Sequence, residues 1–214
     1  MMSQTSGGMD MNVLGQRLRR LATMDTTVFN EVRTDASATV PAAIVAAVSM
    51  FLAGIGGWLW WQIADFGDSG KVFVQSVIVG TILGLLLWAV WVAITYVVLT
   101  QLFRARAEVY ELARVMGFAT LPLAIMVLMF IPGLDFGIAL LAIALFFGTT
   151  VIAVQSATDA PAGRALVATA AGFAVWAIVL GLLTTSSKTW APGIFVFDRP
   201  IDALRDIVGA SSYF

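Results

Sequence analysis

The chain has 214 residues, 60% of them apolar and 12% charged, with a mean hydropathy of +0.93 and a formal net charge of −1. A water-soluble domain of this size needs more polar side chains to cover its surface, so an ordinary soluble globule is excluded. Cysteine and histidine are absent; disulfides, thiolate or imidazole metal ligands and a histidine base are therefore ruled out, and the near-zero charge argues against a nucleic-acid partner.

Met1 to about Asp10 is small, polar and Gly/Ser-rich and reads as a tail. From Met11 to Leu21 the apolar residues Met11, Leu14, Leu18 and Leu21 recur at helical spacing, with Arg17, Arg19 and Arg20 to the side or opposite. That pattern predicts a short basic amphipathic helix suited to the lipid headgroup region or to a partner. A second short helix is expected with Asp25 as its N-cap and Val28, Phe29 and Val32 on its apolar side. Residues 1–38 together form the expected cytoplasmic tail.

Five apolar blocks of span length follow. The first runs from about Val40 to Trp61, entered through Thr39 as a cap and Pro41 in the first turn. The region ahead of it is too long for a cleavable signal peptide. The second, about Val72 to Leu102, exceeds the ~20 residues a bilayer needs and should tilt or protrude. The third, about Val115 to Ile131, contains Pro122, which removes a backbone hydrogen bond and should bend the helix. Ile131-Pro-Gly-Leu-Asp135 is a tight turn, with Asp135 near the next helix N-terminus, where a carboxylate suits the dipole. The fourth span ends near Gln155, and an alanine-rich fifth runs from about Arg164 to Leu183. The expected fold class is all-α: a polytopic membrane helical bundle of about five transmembrane helices, over residues 39–184, with an N-terminal interfacial amphipathic helix. Residues 185–214 read as an extracytoplasmic tail containing Ile194-Phe-Val-Phe197 and a short amphipathic helix with Ile201, Leu204, Ile207 and Val208.

Cytoplasmic loops are enriched in Lys and Arg. With five spans, the N-terminal segment, the Arg104–Arg114 connection and the loop before Arg164 fall on one side and hold eight of the twelve basic residues, against four on the other. The N-terminus is therefore expected in the cytoplasm and the C-terminus outside, in a bacterial inner membrane, with Trp60, Trp61 and Trp190 near the outer interface.

No Asp, Glu, Lys or Arg falls in the middle of any expected span. Ion-coupled transporters, pumps and intramembrane proteases place ionisable groups there because their mechanisms use them. Ser49, Ser76, Thr81, Thr95, Thr120, Thr149, Thr150 and Thr169 are the polar residues inside the spans, and hydrogen bonds to their own helix or a neighbour account for them. Ser187 beside Lys188 is a loop dipeptide without the spacing of a serine–lysine pair. Asp65, Asp68, Asp135, Asp198, Asp202 and Asp206 share the outer side and read as solvated loop ends, since no calcium-loop spacing joins them. No catalytic residue, cofactor or metal site is expected. Small residues for close helix contact are abundant: Gly80 and Gly84 form a GxxxG, and Ala53 with Gly57 a small-xxx-small pair. These four, with Leu14, Leu18, Phe29 and Pro122, are the candidate packing or partner positions. Trp88, Trp91 and Trp176 sit mid-span and read as packing residues.

The entry segment Leu21-Ala-Thr-Met-Asp-Thr-Thr-Val-Phe-Asn-Glu-Val-Arg-Thr-Asp35 resembles that of bacterial Yip1-domain proteins, in which a phenylalanine and an acidic residue precede the first span. Tyr110-Glu-Leu-Ala-Arg-Val-Met-Gly-Phe-Ala-Thr-Leu-Pro122 is similar to that family's central signature, an aromatic–acidic pair, a glycine and then a proline in the third span. The resemblance covers roughly Leu14 to Leu183. It implies a membrane adaptor rather than an enzyme; eukaryotic members associate with small GTPases and vesicle traffic. The expected function is a non-catalytic scaffold or accessory subunit among membrane lipids and other integral membrane subunits. The alternative is a transporter or channel-like carrier of a neutral or lipidic solute.

Overall fold

The computed structural model describes residues 10–64 and 69–187. Five helices long and apolar enough to cross a membrane run over Ala36–Ile63, Ser69–Leu102, Val109–Phe130, Asp135–Ser156 and Ala162–Leu182. Two short helices precede them, α1 (Met11–Ala22) and α2 (Val28–Thr34). No strand forms among the described residues, and the one β-type contact is an isolated antiparallel bridge between Ala107 and Thr158. The chain is an all-α integral membrane bundle.

The first and third spans form its centre, with 50% and 56% of their apolar windows buried against 33% for each of the others. The first packs on the second and third, the fourth on the third, and the fifth on the second and fourth. Large apolar side chains also cover much of the outer surface. Val74, Ile78, Ile82, Leu86 and Val90 recur every fourth residue along the second span and are all exposed. One helix face of that kind is costly in water and suited to hydrocarbon, so it faces lipid.

Several boundaries differ from the sequence expectation for identifiable reasons. A single turn of 3-10 helix, Ala36–Ala38, precedes the first α-helix, Thr39–Ile63, and Asp35 caps that turn by accepting from the Ser37 N–H at 3.0 Å. Thr39 is thus inside the helix rather than its cap. Asp25 does not cap α2 either; it lies two residues ahead of the preceding Thr27, accepting from the Thr27 N–H at 3.0 Å and from Arg20 Nε at 2.8 Å. The third span begins at Val109 rather than Val115, because Glu111 and Arg114 reach partners on the N-terminal segment and the helix can carry them. The second span contains two π-helical stretches, Phe73–Val79 and Val98–Leu102. The expectations for Asp65, Asp68 and everything beyond residue 187 lie outside the described residues.

The bend expected at Pro122 takes a definite form. The α-helix ends at Phe118, and the span continues as 3-10 helix from Leu121 to Phe130 with Pro122 in its first turn. In a 3-10 ladder residue 122 would donate to the carbonyl of Ala119, and the neighbouring Leu123 N–H does follow that pattern, donating to Thr120 at 2.9 Å. Proline has no N–H to give. Thr149 on the fourth span fills the gap, its Oγ1 lying 3.0 Å from the Ala119 carbonyl oxygen.

Candidate functional site

Two features set the end of the bundle that carries α1 and α2 apart: a cap tied to the spans by arginines, and an apolar groove bordered by that cap.

The cap is built from α1 and α2. Asp10 caps α1, accepting from the Asn12 and Val13 N–H groups at 2.9 and 3.3 Å. The apolar face of α1 turns inward: Leu14 is buried, and Leu18 and Leu21 pack on the core. The chain then reverses through Met24, which adopts the left-handed region at φ 64°. Val28, Phe29 and Val32 of α2 are all buried, with Phe29 only 1% exposed. Phe29 is therefore a core residue of the bundle, and the cap is part of the fold.

Its arginines are used as ties. Arg17 pairs with Asp35 at 2.7 Å in a half-buried setting. Arg20 joins Asp25 at 2.8 Å and Glu31 at 2.7 Å, and also donates to Thr27 Oγ1. Arg33 donates to the Ser156 carbonyl at 2.6 Å and stands 3.8 Å from the Glu111 carboxylate. Arg114 donates to Thr39 Oγ1 at 3.0 Å and to the Arg33 carbonyl. The Thr27 hydroxyl, followed by Arg20, holds the Asp25 carboxyl down to about 2, and Ser37 with Arg17 lowers that of Asp35. Those hydrogen bonds favour the ionised acid. Next to this network Arg106 N–H donates to Asp159 at 2.7 Å, joining the second-to-third and fourth-to-fifth connections.

The groove has a volume of about 650 Å³, within the ~300–1,000 Å³ of small-molecule sites. Leu18, Arg19 and Leu21 line it from the cap, the 3-10 run contributes Leu121, Pro122, Ile125 and Leu128, and Leu145 and Thr149 come from the fourth span. Its lining is almost wholly apolar. Arg19 is exposed and, unlike Arg17 and Arg20, makes no ion pair among the described residues.

The small-residue pairs lie elsewhere. Ala53, Gly57, Gly80 and Gly84 are all buried within the chain itself. Close backbone approaches are seen at other glycines. A Cβ on Gly56 would stand 1.9 Å from the Met126 carbonyl oxygen, and one on Gly117 2.7 Å from that of Ala42, both joining the first and third spans. A Cβ on Gly54 would meet the Ser76 carbonyl oxygen at 2.8 Å. The run of Gly54, Gly56 and Gly57 is the sequence signal for such contacts, but spacing alone does not say what each glycine meets.

Mid-span tryptophans build the remaining core. Trp91 is fully buried, donates from Nε1 to the Thr169 carbonyl at 2.9 Å, and meets Phe146 edge-on at 5.1 Å between centroids. Trp176 stacks on Phe173 beside it. At the opposite end Trp60 Nε1 donates to Asp135 Oδ2 at 2.8 Å, so Asp135 is a half-buried tie rather than a solvated loop end. Among the described residues no group of three or more His, Cys, Asp or Glu is placed to hold a metal ion. No family model matches this chain, and neither a curated protein nor a solved structure matches it.

Proposed function

We propose that this chain is a non-catalytic integral membrane scaffold or accessory subunit, oriented with its N-terminus in the cytoplasm of a bacterial inner membrane. The observation that carries this reading is where the charged groups of the cap go. Arg17, Arg20, Arg33 and Arg114 each hold the cap to itself or to the spans, so polar chemistry is spent on fixing a platform. The platform leaves Tyr110 66% exposed at the start of the third span, and tyrosine is favoured at protein interfaces.

Membership in the Yip1-domain family is part of the proposal. Its support is that the residues of the resemblance have connected roles here. Glu111 stands by Arg33 of α2, Gly117 admits the first span, and Pro122 starts the 3-10 run that, with Phe29, lines the groove.

The carrier alternative draws less support. A path for a neutral solute needs hydroxyls turned toward it. Thr81, Thr100, Thr150 and Thr169 instead donate to the carbonyl four residues earlier in their own helices. Blue-native electrophoresis of gently solubilised source membranes tests the scaffold reading: the chain should migrate in an assembly several times its own 22.8 kDa. Migration as a monomer, together with solute flux in liposomes that depends on the protein, would favour the carrier.

A further inference from the structure

We infer that the groove beside the cap is a binding site for one membrane lipid, with an acyl chain along the 3-10 run and an anionic headgroup on Arg19. The inference rests on membrane residence and the groove's geometry, independently of the scaffold reading.

The third span enters the bundle at Val109, where its α-helix packs on α2, and leaves at Phe130. The 3-10 run therefore leads away from the cap into the hydrocarbon. From Leu121 to Leu128 it rises by about 14 Å at the 3-10 pitch of ~2.0 Å per residue. That length is close to half the thickness of a hydrocarbon core of ~30 Å. A slot of that length, apolar along it, matches an acyl chain in length and chemistry.

The headgroup end is equally specific. Three arginines lie on α1, and two are neutralised by Asp35, Asp25 and Glu31. The third, Arg19, lines the groove with its charge unmatched among the described residues. The one uncharged polar side chain lining the slot, Thr149, lies beside Ala119 ahead of the 3-10 run and has its single proton engaged with backbone carbonyls. Apolar contact along the slot and one positive charge at the cap select an anionic lipid over a zwitterionic one.

The test uses the full chain, released from vesicles of either phosphatidylglycerol or phosphatidylcholine with identical acyl chains and examined by native mass spectrometry. One phosphatidylglycerol should be retained per chain in preference to phosphatidylcholine. Arg19→Gln should lower that preference about fivefold, the worth of one basic side chain beside anionic lipid. Arg104→Gln, the loss of an exposed arginine that does not line the groove, should leave it unchanged. Ala124→Trp, which fills the slot, should abolish retention of both lipids; Leu128→Trp repeats the test near the slot's far end if the first variant does not fold. Equal retention of the two lipids, an Arg19→Gln chain that behaves as wild type, or retention untouched by the filling variants would each overturn the inference. So would a lipid-free dimer dispersed by Ala124→Trp, which would make a second copy the occupant.

Discussion

Thr149 supplies the hydrogen bond that Pro122 cannot: its hydroxyl lies 3.0 Å from the Ala119 carbonyl, the acceptor a residue-122 N–H would have used. The same hydroxyl reaches the Leu145 and Phe146 carbonyls at 2.8 and 3.1 Å. Those two belong to its own α-helix, whereas among the described residues no backbone N–H donates to the Ala119 carbonyl. The proline and the threonine thus work as a pair, one opening the third span and the other closing the resulting gap from the fourth.

Thr149→Val should therefore destabilise the bundle by about 1 kcal/mol, within the ~0.6–1.7 kcal/mol measured for hydrogen bonds between membrane helices. Thr149→Ser should recover most of the loss. Denaturant unfolding of the reconstituted protein measures both. Equal stability of the valine and wild-type forms would show that the Ala119 carbonyl finds another donor.

Gly56→Ala should cost more, about 1–3 kcal/mol, the usual range for overpacking. A Cβ there meets backbone at 1.9 Å, and backbone cannot swing aside as a side chain can. Gly15→Ala is the contrasting case. Gly15 lies in α1 with nothing within 4 Å of its added Cβ, so alanine should stabilise α1 by ~0.8–1 kcal/mol through helix propensity. Opposite signs for the two substitutions in one unfolding assay are the expected result.

How much of this was legible in the sequence depended on the scale of the force involved. A bilayer demands length and hydropathy, so five spans could be read from composition and block length alone. Pro122 announced an interruption because its missing N–H is a covalent fact. Which way the chain would resolve it, as 3-10 helix stitched by Thr149, depends on a residue 27 positions away and was not readable locally. Phe29 shows the same limit. An amphipathic face looks alike whether it meets headgroups or a protein core, and the burial of Phe29 is decided by helices that come later in the chain. Gly56 shows it too: the run Gly54-Ile-Gly-Gly57 signals close packing, but which backbone a glycine meets is assigned by residues on other spans.

Trp60 and Asp135 tie the first span to the start of the fourth through a 2.8 Å bond. In a double-mutant cycle, Trp60→Phe and Asp135→Ala should couple by ~1.5 kcal/mol, the lower end for a bond to a charged acceptor because Asp135 is partly exposed. Strict additivity would mean that the bond does not persist in the membrane.

The cap should loosen in acid. The Asp25 carboxyl is held at about 2 against an ordinary 3.8 by Thr27 and Arg20. A depressed carboxylate stabilises the fold above its unfolded value and loses that contribution as pH falls through the folded one. Amide protection in α1, relative to the intrinsic exchange rate at each pH, should therefore fall between about pH 4 and 2, with the spans unchanged. Asp25→Asn should lower α1 protection at pH 7 and weaken the pH dependence, leaving the part that Asp35 contributes through Arg17.

We propose the cap and the adjoining start of the third span as a platform for another protein. Photo-cross-linking in the source membrane tests it most directly, with a benzophenone side chain at Tyr110 and a control at Leu86, which is 61% exposed on the lipid-facing stripe. The scaffold reading predicts a discrete protein adduct from position 110 and lipid adducts alone from position 86. Lipid or water products alone from position 110, in membranes where the chain is present at its native level, would contradict it.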